Sequence, residues 1–526
     1  MQIKTIFLLF VLCFALTVFP EDIVEAQPNT IVVPDDYSSI FDAVGNASEG
    51  DTIFVKNGKY ECPMNQSLVI DKSISLVGEN VDNTELVLYP AVVPLIIFTQ
   101  TFWVFDTPLF IQADNVSLSC LTISSRGTKP ISATGTGLQI QDNVLSMGVS
   151  VAGNFSLVEN NHISKGTISA NGFHHLITKN SINVREYGIE SSGSYNNITE
   201  NYVYGSGGGI YSTGSYNLVY GNNVTASSGL EISGSENIAA NNDVVNIMGV
   251  WGSLTFVYGN TITGNLAIVG NDNIFHSNYV QGIILGSSNH DASNNTFYHN
   301  YFDFVENPVL PEGEKTFTVW NGVQGTEIMD NGYPSGGNYW SDYNGTDRNG
   351  DGIGDTPYTI YANNTLNYHN MASSNVANLT LVDNYPLVAP LTVFDAGTWE
   401  WTSYSVKVVS NSSVSNFEFS SQENLIRFSI ETENQTVGFC RVTVPHDLLS
   451  VEENNWAILF IDGTGENIIT TDDTNNTHLS FLCGPNVKTI EIFGTTSIPE
   501  VSSWTLLPIT LSGLLVVAVY RKKLKH

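Results

Sequence analysis

One short stretch of the chain, residues 347–355, carries a dense set of oxygen donors. Its side-chain oxygens recur at every second residue, and the glycines between them allow the tight wrap that a calcium loop requires. The spacing predicts a structural calcium site with ligands from Asp347, Asn349, Asp351, the Ile353 carbonyl and Asp355. Tyr358 stands where an EF-hand has its bidentate Glu, so the loop is not an EF-hand, and Asp342 and Asp383 are candidates for a further ligand. The alternative interpretation is a solvated Asp/Gly-rich turn.

A second set of candidate residues occupies one repeated position in a series of Gly-flanked, strand-like segments. The side chains predicted to point outward there are Ser150, Ser169, Glu190, Tyr211, Glu231 and Trp251. Aromatic faces interleaved with carboxylates suit the stacking of sugar rings and hydrogen bonding to their hydroxyls. The predicted glycan-binding residues are therefore Glu190, Tyr211, Glu231 and Trp251. Glu190 and Glu231 would lie two coils apart, ~9.6 Å, a spacing possible for an inverting glycosidase; the alternative is a solvated face.

These positions belong to an internal repeat. The motif Asn-x-(Ile/Val/Phe) recurs in steps of 18–22 residues, at Asn161, Asn180, Asn201, Asn222, Asn242, Asn260, Asn278 and Asn300. Each unit holds about three short strands joined by Gly/Asn/Ser turns, and one unit alone cannot bury its apolar residues. Stacked units share a continuous core, and their Asn side chains hydrogen-bond from coil to coil. The repeat predicts an all-β protein built on a parallel β-helix, since a propeller or leucine-rich repeats need a different period or consensus.

The composition also favours short strands and tight turns. The chain has 526 residues, of which 45 are Gly and 56 are Asn, two residue types that form helices poorly. A formal net charge of -32 argues against nucleic acid as a partner, because phosphate binding needs clustered Lys and Arg. With 42% hydrophobic residues, the chain has enough apolar material for more than one domain core.

Both chain ends predict export and anchoring. Residues 1–26 place Lys4 before a short apolar run and a small-residue cleavage site, which is typical of a secretory signal peptide. Residues 499–526 place an apolar segment before four basic residues, which predicts a transmembrane helix with a cytosolic tail. We therefore expect export across the cytoplasmic membrane and anchoring at the cell surface, where the Asn-x-Ser/Thr sequons would make the protein a glycoprotein.

Four regions are expected between these ends. Residues 27–112 hold an amphipathic cap helix at 37–48 and the first coils, 113–302 hold the regular coils, and 303–390 hold the β-helix end with the acidic loop. Residues 391–498 lack the Asn repeat, and their alternating apolar runs predict a small β-sandwich-like stalk domain. Four cysteines remain after removal of the signal peptide, and their pairing stays open.

Several segments resemble a known family. Those that look like the start of NosD-type β-helix proteins, also described as carbohydrate-binding and sugar-hydrolase (CASH) β-helices, are residues 31–37, 50–53 and 74–78. Those similar to the β-helix end of archaeal surface members are residues 330–343, 347–358 and 382–387. Pro499 and Glu500 resemble the start of a PEF-type sorting signal, although Val501 replaces Phe. The resemblance implies a right-handed parallel β-helix over residues 28–390.

The same resemblance implies copper as an alternative ligand, because the group includes a copper-maturation protein. Soft copper sites bring Cys, Met and His together. The histidines of this chain are scattered, and no Met-x-x-Met or Cys-His cluster occurs. Copper is therefore retained as an alternative rather than as the main hypothesis.

Sequence patterns of pectin-degrading β-helix enzymes are absent. Their lyases need Arg or Lys beside calcium-binding carboxylates, whereas residues 113–302 hold five basic residues and no matching Asp cluster. We therefore expect a membrane-anchored extracellular protein that binds glycans or cell-envelope polysaccharide without catalysis. The alternatives are a polysaccharide-degrading hydrolase or lyase, a copper-binding NosD-like maturation protein, and a structural surface-layer component.

Overall fold

The computed structural model describes most of the chain between residues 28 and 498. The described segments are 28–97, 100–127, 129–287, 292–303, 317–319, 326–363, 378–399, 402–432 and 437–498. The chain divides into two compact units, Met1–Met147 and Gly148–His526. The expected signal peptide at 1–26 and the expected anchor at 499–526 lie outside the described residues. Among the residues that are described, no helix is long and apolar enough to cross a membrane.

The first unit begins with a short helix, α1 (Ile40–Asn46), inside the segment where the sequence predicts a cap. Ser39 caps its N-terminus, because the Ser39 hydroxyl accepts hydrogen bonds from the backbone N–H groups of Phe41 and Asp42. Ile40, Ala43 and Val44 are buried, and the helix packs against the first strands of the unit. The amphipathic pattern therefore forms the helix that it predicts.

Parallel strands make up most of the rest of the first unit. One sheet consists of Thr30–Val33, Thr52–Val55, Ser75–Gly78, Ser117–Ser119 and Gln139–Gln141. Further parallel strands are Gly58–Glu61, Leu68–Ile70, Thr84–Leu88, Leu109–Ile111, Thr122–Ser125, Ile131–Thr134 and Val144–Leu145. An antiparallel hairpin joins Val92–Ile97 to Gln100–Phe105.

The second unit opens with a stack of parallel coils, each with three strand positions. The first position holds Leu157–Glu159, Leu176–Thr178, Asn197–Thr199, Leu218–Tyr220, Ile238–Ala240, Phe256–Tyr258, Ile274–His276 and Thr296–Tyr298. The second holds His162–Ile163, Ser181–Val184, Tyr202–Gly205, Asn223–Val224, Asp243–Val244, Tyr301–Phe302 and Tyr339–Trp340. The third holds Val149–Asn154, Ile168–Phe173, Ile189–Ser192, Ile210–Thr213, Leu230–Ser235, Ile247–Ser253 and Phe317–Val319. Thr261–Ile268 and Tyr279–Leu285 run through both the second and the third positions. The predicted all-β fold with a parallel β-helix is confirmed.

A buried ladder of side-chain amides runs through these coils and confirms the role predicted for the repeated Asn. Its members are Asn161, Asn180, Asn201, Asn222, Asn242, Asn260, Asn278, Asn300 and Asn338. From Asn180 onward, each Oδ1 accepts from the backbone N–H and the side-chain NH₂ of the Asn one coil earlier, at 2.9–3.1 Å. The hydrogen bonds of the ladder therefore all run from one Asn to the Asn on the next coil. Asn338 is the last Asn, so its backbone N–H needs an acceptor of another kind.

Asp383 supplies that acceptor. Its Oδ2 accepts from the backbone N–H of Asn338 at 2.7 Å and from Trp340 Nε1 at 2.9 Å. Its Oδ1 accepts from the backbone N–H of Tyr385 at 3.1 Å, and the carboxylate is fully buried. Burial raises the pKa of Asp383 to about 7. A buried carboxylate with several donors thus ends the ladder.

A second ladder occupies another corner of the coils and ends in the same way. It includes Asn196, Asn217 and Asn237, and after an interruption it ends where the backbone N–H of Asn295 donates to Glu327 Oε2 at 2.7 Å. The next residue, Asn197, lies outside this ladder, because it pairs with Leu218 in a strand and is exposed.

The rest of the second unit is antiparallel. Tyr358–Asn363 pairs with Asn378–Asp383. One sheet follows in the order Leu391–Trp399, Thr402–Ser410, Gly438–Pro445, Asn476–Cys483 and Gly465–Asp472, and another in the order Ser413–Ser420, Leu425–Glu431, Thr489–Phe493 and Ala457–Ile461. A short pair, Leu449–Ser450 with Thr496–Ser497, and a 3₁₀ turn at Glu452–Asn454 complete it.

Both sheets contribute to one apolar core, as in a β-sandwich. Val442 and Phe481 come from the first sheet, and Phe428 and Ile490 come from the second. Cys440 and Cys483 lie on neighbouring strands of the first sheet, and all four described cysteines are free thiols in this structure.

Candidate functional site

Most of the predicted outward positions lie side by side on the third strand of successive coils. Ser169 pairs with Glu190, Glu190 with Tyr211, and Tyr211 with Glu231. We call these four residues the outer column. The residue before each of them is a fully buried Ile or Leu, because successive side chains of a strand point to opposite faces. The structure therefore brings three of the four predicted glycan-binding residues, Glu190, Tyr211 and Glu231, into one row.

Trp251, the fourth predicted residue, is out of the register that the sequence suggests. The prediction aligned Gly229 with Gly249, but this coil is two residues shorter than the one before it, so Glu231 pairs with Gly249 and Trp251 pairs with Ser233. The indole folds back over Gly249. A Cβ added at Gly249 would lie 2.6 Å from Trp251 Nε1 and 3.5 Å from Glu231 Cγ. The exposed indole is therefore still a neighbour of Glu231.

A groove of about 360 Å³ opens beside the first three residues of the outer column. Its lining residues are Ser169, Asn171, Tyr187, Glu190, Ser191, Ser192, Tyr211 and Thr213. The lining is made of two aromatic rings, one carboxylate and a set of hydroxyl and amide groups. Such a lining offers hydrogen bonds and aromatic faces in one place.

Tyr187 is a groove residue that the sequence did not reveal, because it lies in the turn before Ile189–Ser192 rather than in a strand. Its ring meets that of Tyr211 at 85°, with the centroids 5.4 Å apart. Room for both rings depends on Gly208, where a Cβ would lie 2.9 Å from Tyr187 Cδ1 and 3.1 Å from Tyr211 Cε2. The run of three glycines at 207–209 is the sequence signal that marks this space.

The two carboxylates of the outer column have no partner among the residues that the structure describes. Within the segments that the structure describes, neither Glu190 nor Glu231 makes a hydrogen bond or an ion pair. Both side chains are half-buried, and burial raises the pKa of Glu231 above its ordinary value. Their backbones lie two coils apart, ~9.6 Å. The carboxylate oxygens are therefore free to bind groups of a ligand.

Short polar side chains continue the groove beside the outer column. Ser192 Oγ donates to Asn171 Oδ1, and Asn171 Nδ2 lies 3.5 Å from Ser169 Oγ. Thr213 is in register with Ser192, and its hydroxyl donates to the carbonyl of Ser191 at 3.3 Å. These partly exposed groups suit a ligand that is rich in hydroxyls.

The predicted calcium loop is a tight turn whose carboxylates accept from its own backbone. Asp347 Oδ1 accepts from Gly350 N at 2.7 Å, and Asp347 Oδ2 accepts from Gly352 N at 2.8 Å. Asp351 Oδ1 accepts from Ile353 N at 2.9 Å. Burial, together with the nearby charge of Asp351, raises the pKa of Asp347. The loop thus holds Asp347 and Asp351 close to each other.

The other two side-chain ligands predicted for calcium lie in the same loop. Asn349 Nδ2 donates to Asp351 Oδ2 at 2.9 Å. Asp355 Oδ2 accepts from the Thr346 hydroxyl at 3.0 Å and from Arg348 N at 3.1 Å. Asp355 therefore closes the loop by binding its beginning.

A buried cation lies next to this loop. Arg441 is 2% exposed, and its Cδ would lie 2.8 Å from a Cβ added at Gly352. Burial lowers the pKa of Arg441 to about 10, while the charges of Asp351 and Asp347 act in the opposite direction. Ser480 Oγ donates to the carbonyl of Asp351 at 3.0 Å. The loop is thus tied to the sheets that follow the β-helix.

The two extra carboxylates suggested as calcium ligands have other partners. Asp342 Oδ1 accepts from the Tyr358 hydroxyl at 2.7 Å. Asp383 ends the Asn ladder, where it binds Asn338 and Trp340. Neither carboxylate is free to complete the acidic loop.

The histidines are dispersed over the coils and the following sheets, as the sequence suggests. His174 stacks on Tyr195 with the centroids 5.1 Å apart, and His276 stacks on Tyr258 at 5.2 Å. His299 Nε2 lies 2.9 Å from the carbonyl of Ser335. Nowhere in the described segments do three or more His, Cys, Asp or Glu residues form a group that could hold a metal ion.

Comparison with known proteins relates the coils to one family. Residues 134–345 match the NosD family, described as "Periplasmic copper-binding protein (NosD)". Among solved structures, a PL6 family alginate lyase, AlyGC, is similar with a TM-score of 0.38 and 10% identity, covering 61% of this chain and 52% of the lyase, about half its length. No curated protein matches the chain. The matched segment contains the groove, and the parallel coils within it agree with the β-helix fold that the resemblance to NosD-type proteins implies.

Proposed function

We propose that this chain is an extracytoplasmic β-helix protein that binds glycans through the groove, without cleaving them. The observation that carries the proposal is the lining of the groove. Tyr187, Tyr211 and Glu190, whose carboxylate has no partner among the described residues, share a space of about 360 Å³ with several hydroxyl and amide groups. The periplasmic description of the matched family supports a location outside the cytoplasm.

The chemistry of a sugar fits this lining. A pyranose ring has an apolar face that packs on an aromatic ring, and its edges carry hydroxyls that donate and accept hydrogen bonds. Tyr187 is 46% exposed and offers such a face. Glu190 accepts hydrogen bonds from hydroxyls. The Ser, Thr and Asn side chains of the groove both donate and accept hydrogen bonds. Water leaves the aromatic faces when the sugar binds.

The outer column extends the surface along the axis of the coils. Glu231 follows Tyr211 on the next coil, and the indole of Trp251 lies beside Glu231. Neighbouring coils are ~4.8 Å apart, so the surface from Glu190 to Glu231 spans ~9.6 Å. A linear oligosaccharide lying parallel to the axis would contact the groove and Trp251 together.

A glycan array followed by calorimetry tests the proposal. We expect the wild-type protein to bind at least one class of oligosaccharide, and Tyr211→Ala to weaken that binding by about tenfold, because a stacking contact is worth ~1 kcal/mol or more. Tyr220→Ala is the matched control, since Tyr220 is an exposed strand Tyr outside the groove. Equal affinities of the two variants would refute the proposal.

A polysaccharide-cleaving enzyme is the second candidate, and one observation favours it. Burial raises the pKa of Glu231, as a general acid requires, and Glu190 lies two coils away. A reducing-sugar assay with the glycan that binds best separates the candidates. We expect no release of product; turnover that disappears in Glu231→Gln would instead establish the enzyme.

Copper is supported only by the description of the matched family. Soft metal sites need several Cys, Met or His ligands that converge. Because no group of three or more His, Cys, Asp or Glu converges among the described residues, we propose glycan binding as the main function. Copper titration with the purified protein distinguishes the two, and we expect no stoichiometric binding.

We also propose a structural calcium ion at the acidic loop, as the spacing of its ligands predicts; because its three Asp side chains do not form a metal-holding group in this structure, the ion would have to draw them together. The closeness of Asp347 and Asp351 supports this proposal, since a divalent cation would offset their repulsion. Arg441 already supplies a neighbouring positive charge, so the expected stabilisation is small. Calcium should raise the melting temperature and a chelator should lower it, whereas Asp355→Asn should abolish this difference. Identical melting with calcium and with chelator would refute the site.

A further inference from the structure

The groove has the form of a site for a cation. We propose that it binds a protonated amine, so that the preferred glycan carries free amino groups, as glucosamine polymers do. This inference rests on the proposed glycan-binding function and narrows its ligand class. Its structural basis is the corner formed by Tyr187 and Tyr211 next to Glu190.

The two tyrosine rings form an aromatic corner. Their planes meet at 85° with the centroids 5.4 Å apart, and Tyr187 is 46% exposed. An ammonium group is attracted to the electron-rich face of an aromatic ring, and perpendicular rings surround such a group from two sides. Gly208 keeps the corner intact, because any larger residue would push a Cβ into both rings. The aromatic corner therefore depends on a glycine at position 208.

The charge of the groove points to the same class of ligand. Glu190 is the charged residue of the lining, with no Lys, Arg or His beside it in the groove. Its carboxylate has no hydrogen-bond or ion-pair partner in the described part of the chain. An ammonium group would give it a charge-assisted hydrogen bond. A uronate or sulfate would place a second negative charge against it, which disfavours anionic polysaccharides.

Two coils further along, the outer column again places a carboxylate next to an aromatic ring. Glu231 is half-buried and also without a partner in the described segments, and the exposed indole of Trp251 lies beside it. An aromatic face next to a free carboxylate thus occurs twice along the outer column. A polymer with an amine on every sugar would meet both places, whereas a neutral polymer would offer the two carboxylates hydroxyl groups but no opposite charge.

Calorimetry with three probes of equal length tests the inference. The probes are a glucosamine pentasaccharide, its fully N-acetylated counterpart and a galacturonic acid pentasaccharide, each titrated into the full-length protein at mildly acidic pH. We expect the glucosamine probe to bind about tenfold tighter than the N-acetylated one, since one cation–π contact and one exposed ion pair are gained. The galacturonic acid probe should bind most weakly, and added salt should reduce the preference for the amine.

Two variants locate the effect. Glu190→Gln should remove most of the preference for the free amine, because it should weaken binding of the glucosamine probe much more than binding of the N-acetylated probe. Glu200→Gln, which neutralises an exposed carboxylate outside the groove, should leave the preference unchanged. Equal binding of the two glucosamine-based probes to the wild type, or a full preference in Glu190→Gln, would overturn the amine inference and leave glycan binding standing. Failure of all glycans to bind would overturn both.

Discussion

The inner and outer polar columns of the same coils have opposite chemistry. In the inner column, each ladder Asn accepts two N–H groups from the coil before it, and Asp383 accepts the last. In the outer column, Glu190 and Glu231 have no partner in the described part of the chain. Buried polar groups must be paired, whereas exposed ones are free for a ligand. We infer that stability and binding are encoded in separate columns that substitutions can change independently.

The largest effect is expected where the inner column ends. Asp383→Ala would leave the N–H groups of Asn338, Tyr385 and Trp340 buried without an acceptor, and we expect a loss of ~3–5 kcal/mol in the free energy of unfolding. Asp383→Asn keeps one acceptor oxygen and should lose less. Urea denaturation checks both values, and glycan affinity should not change in the variants that fold.

A smaller loss is expected in the middle of the ladder. Asn222→Ala removes the acceptor of two N–H groups of Asn201 and the donor to the carbonyl of Ile198, which should cost ~2–4 kcal/mol. Its neighbour Asn223 is exposed and provides the matched control, and Asn223→Ala should cost less than ~0.5 kcal/mol. Similar losses in both variants would contradict the separation of the columns.

The pH dependence of stability should also reveal the end of the inner column. Burial raises the pKa of Asp383 to about 7 from 3.8, so the folded state holds a proton that the unfolded state releases. The stabilisation from Asp383 is complete below the pKa of this group in the unfolded chain, 3.8. It is lost as the pH rises through the pKa of this group in the folded protein, about 7. The wild type should lose ~2–3 kcal/mol relative to Asp383→Asn between pH 5 and pH 8. A constant difference between the two proteins would contradict this assignment.

The smallest effect on stability is expected for the aromatic residue beside the outer column. Trp251→Ala removes an exposed indole beside Glu231, so the melting temperature should hardly change while glycan affinity falls by severalfold. Phe256→Ala is the control, because Phe256 is similarly exposed on a different strand position. A melting temperature lowered strongly by Trp251→Ala would mean that the binding surface beside the outer column also stabilises the fold.

The sequence predicts the inner column well because its spacing is regular. The Asn at each 18–22-residue step is a ladder member in the structure. Its carboxylate end was not predictable, since Asp383 follows Asn338 by 45 residues and Glu327 follows Asn295 by 32. These separations in sequence are longer than one coil, so no local sequence pattern indicates which carboxylate accepts the last hydrogen bond of each ladder.

The outer column was predicted only in part. The positions of Glu190, Tyr211 and Glu231 follow from the alternation of side chains along a strand. The position of Trp251 depends on the length of one coil that is shorter than the coil before it. Tyr187 was missed because the position of a turn side chain depends on the neighbouring coil, here on Gly208. Strand positions follow from periodicity, but contacts between turns follow from the packing of coils that are far apart in sequence.

Hydrogen exchange measured with and without the best-binding oligosaccharide tests the central claim most directly. We expect the glycan to slow the exchange of backbone amide hydrogens in peptides covering residues 187–213 and 229–252. These peptides contain the turn and strands that carry the groove and Trp251. Peptides from the sheets at 391–498 should exchange at unchanged rates. Protection confined to those sheets, or absent from both groove segments while the glycan is bound, would contradict the account.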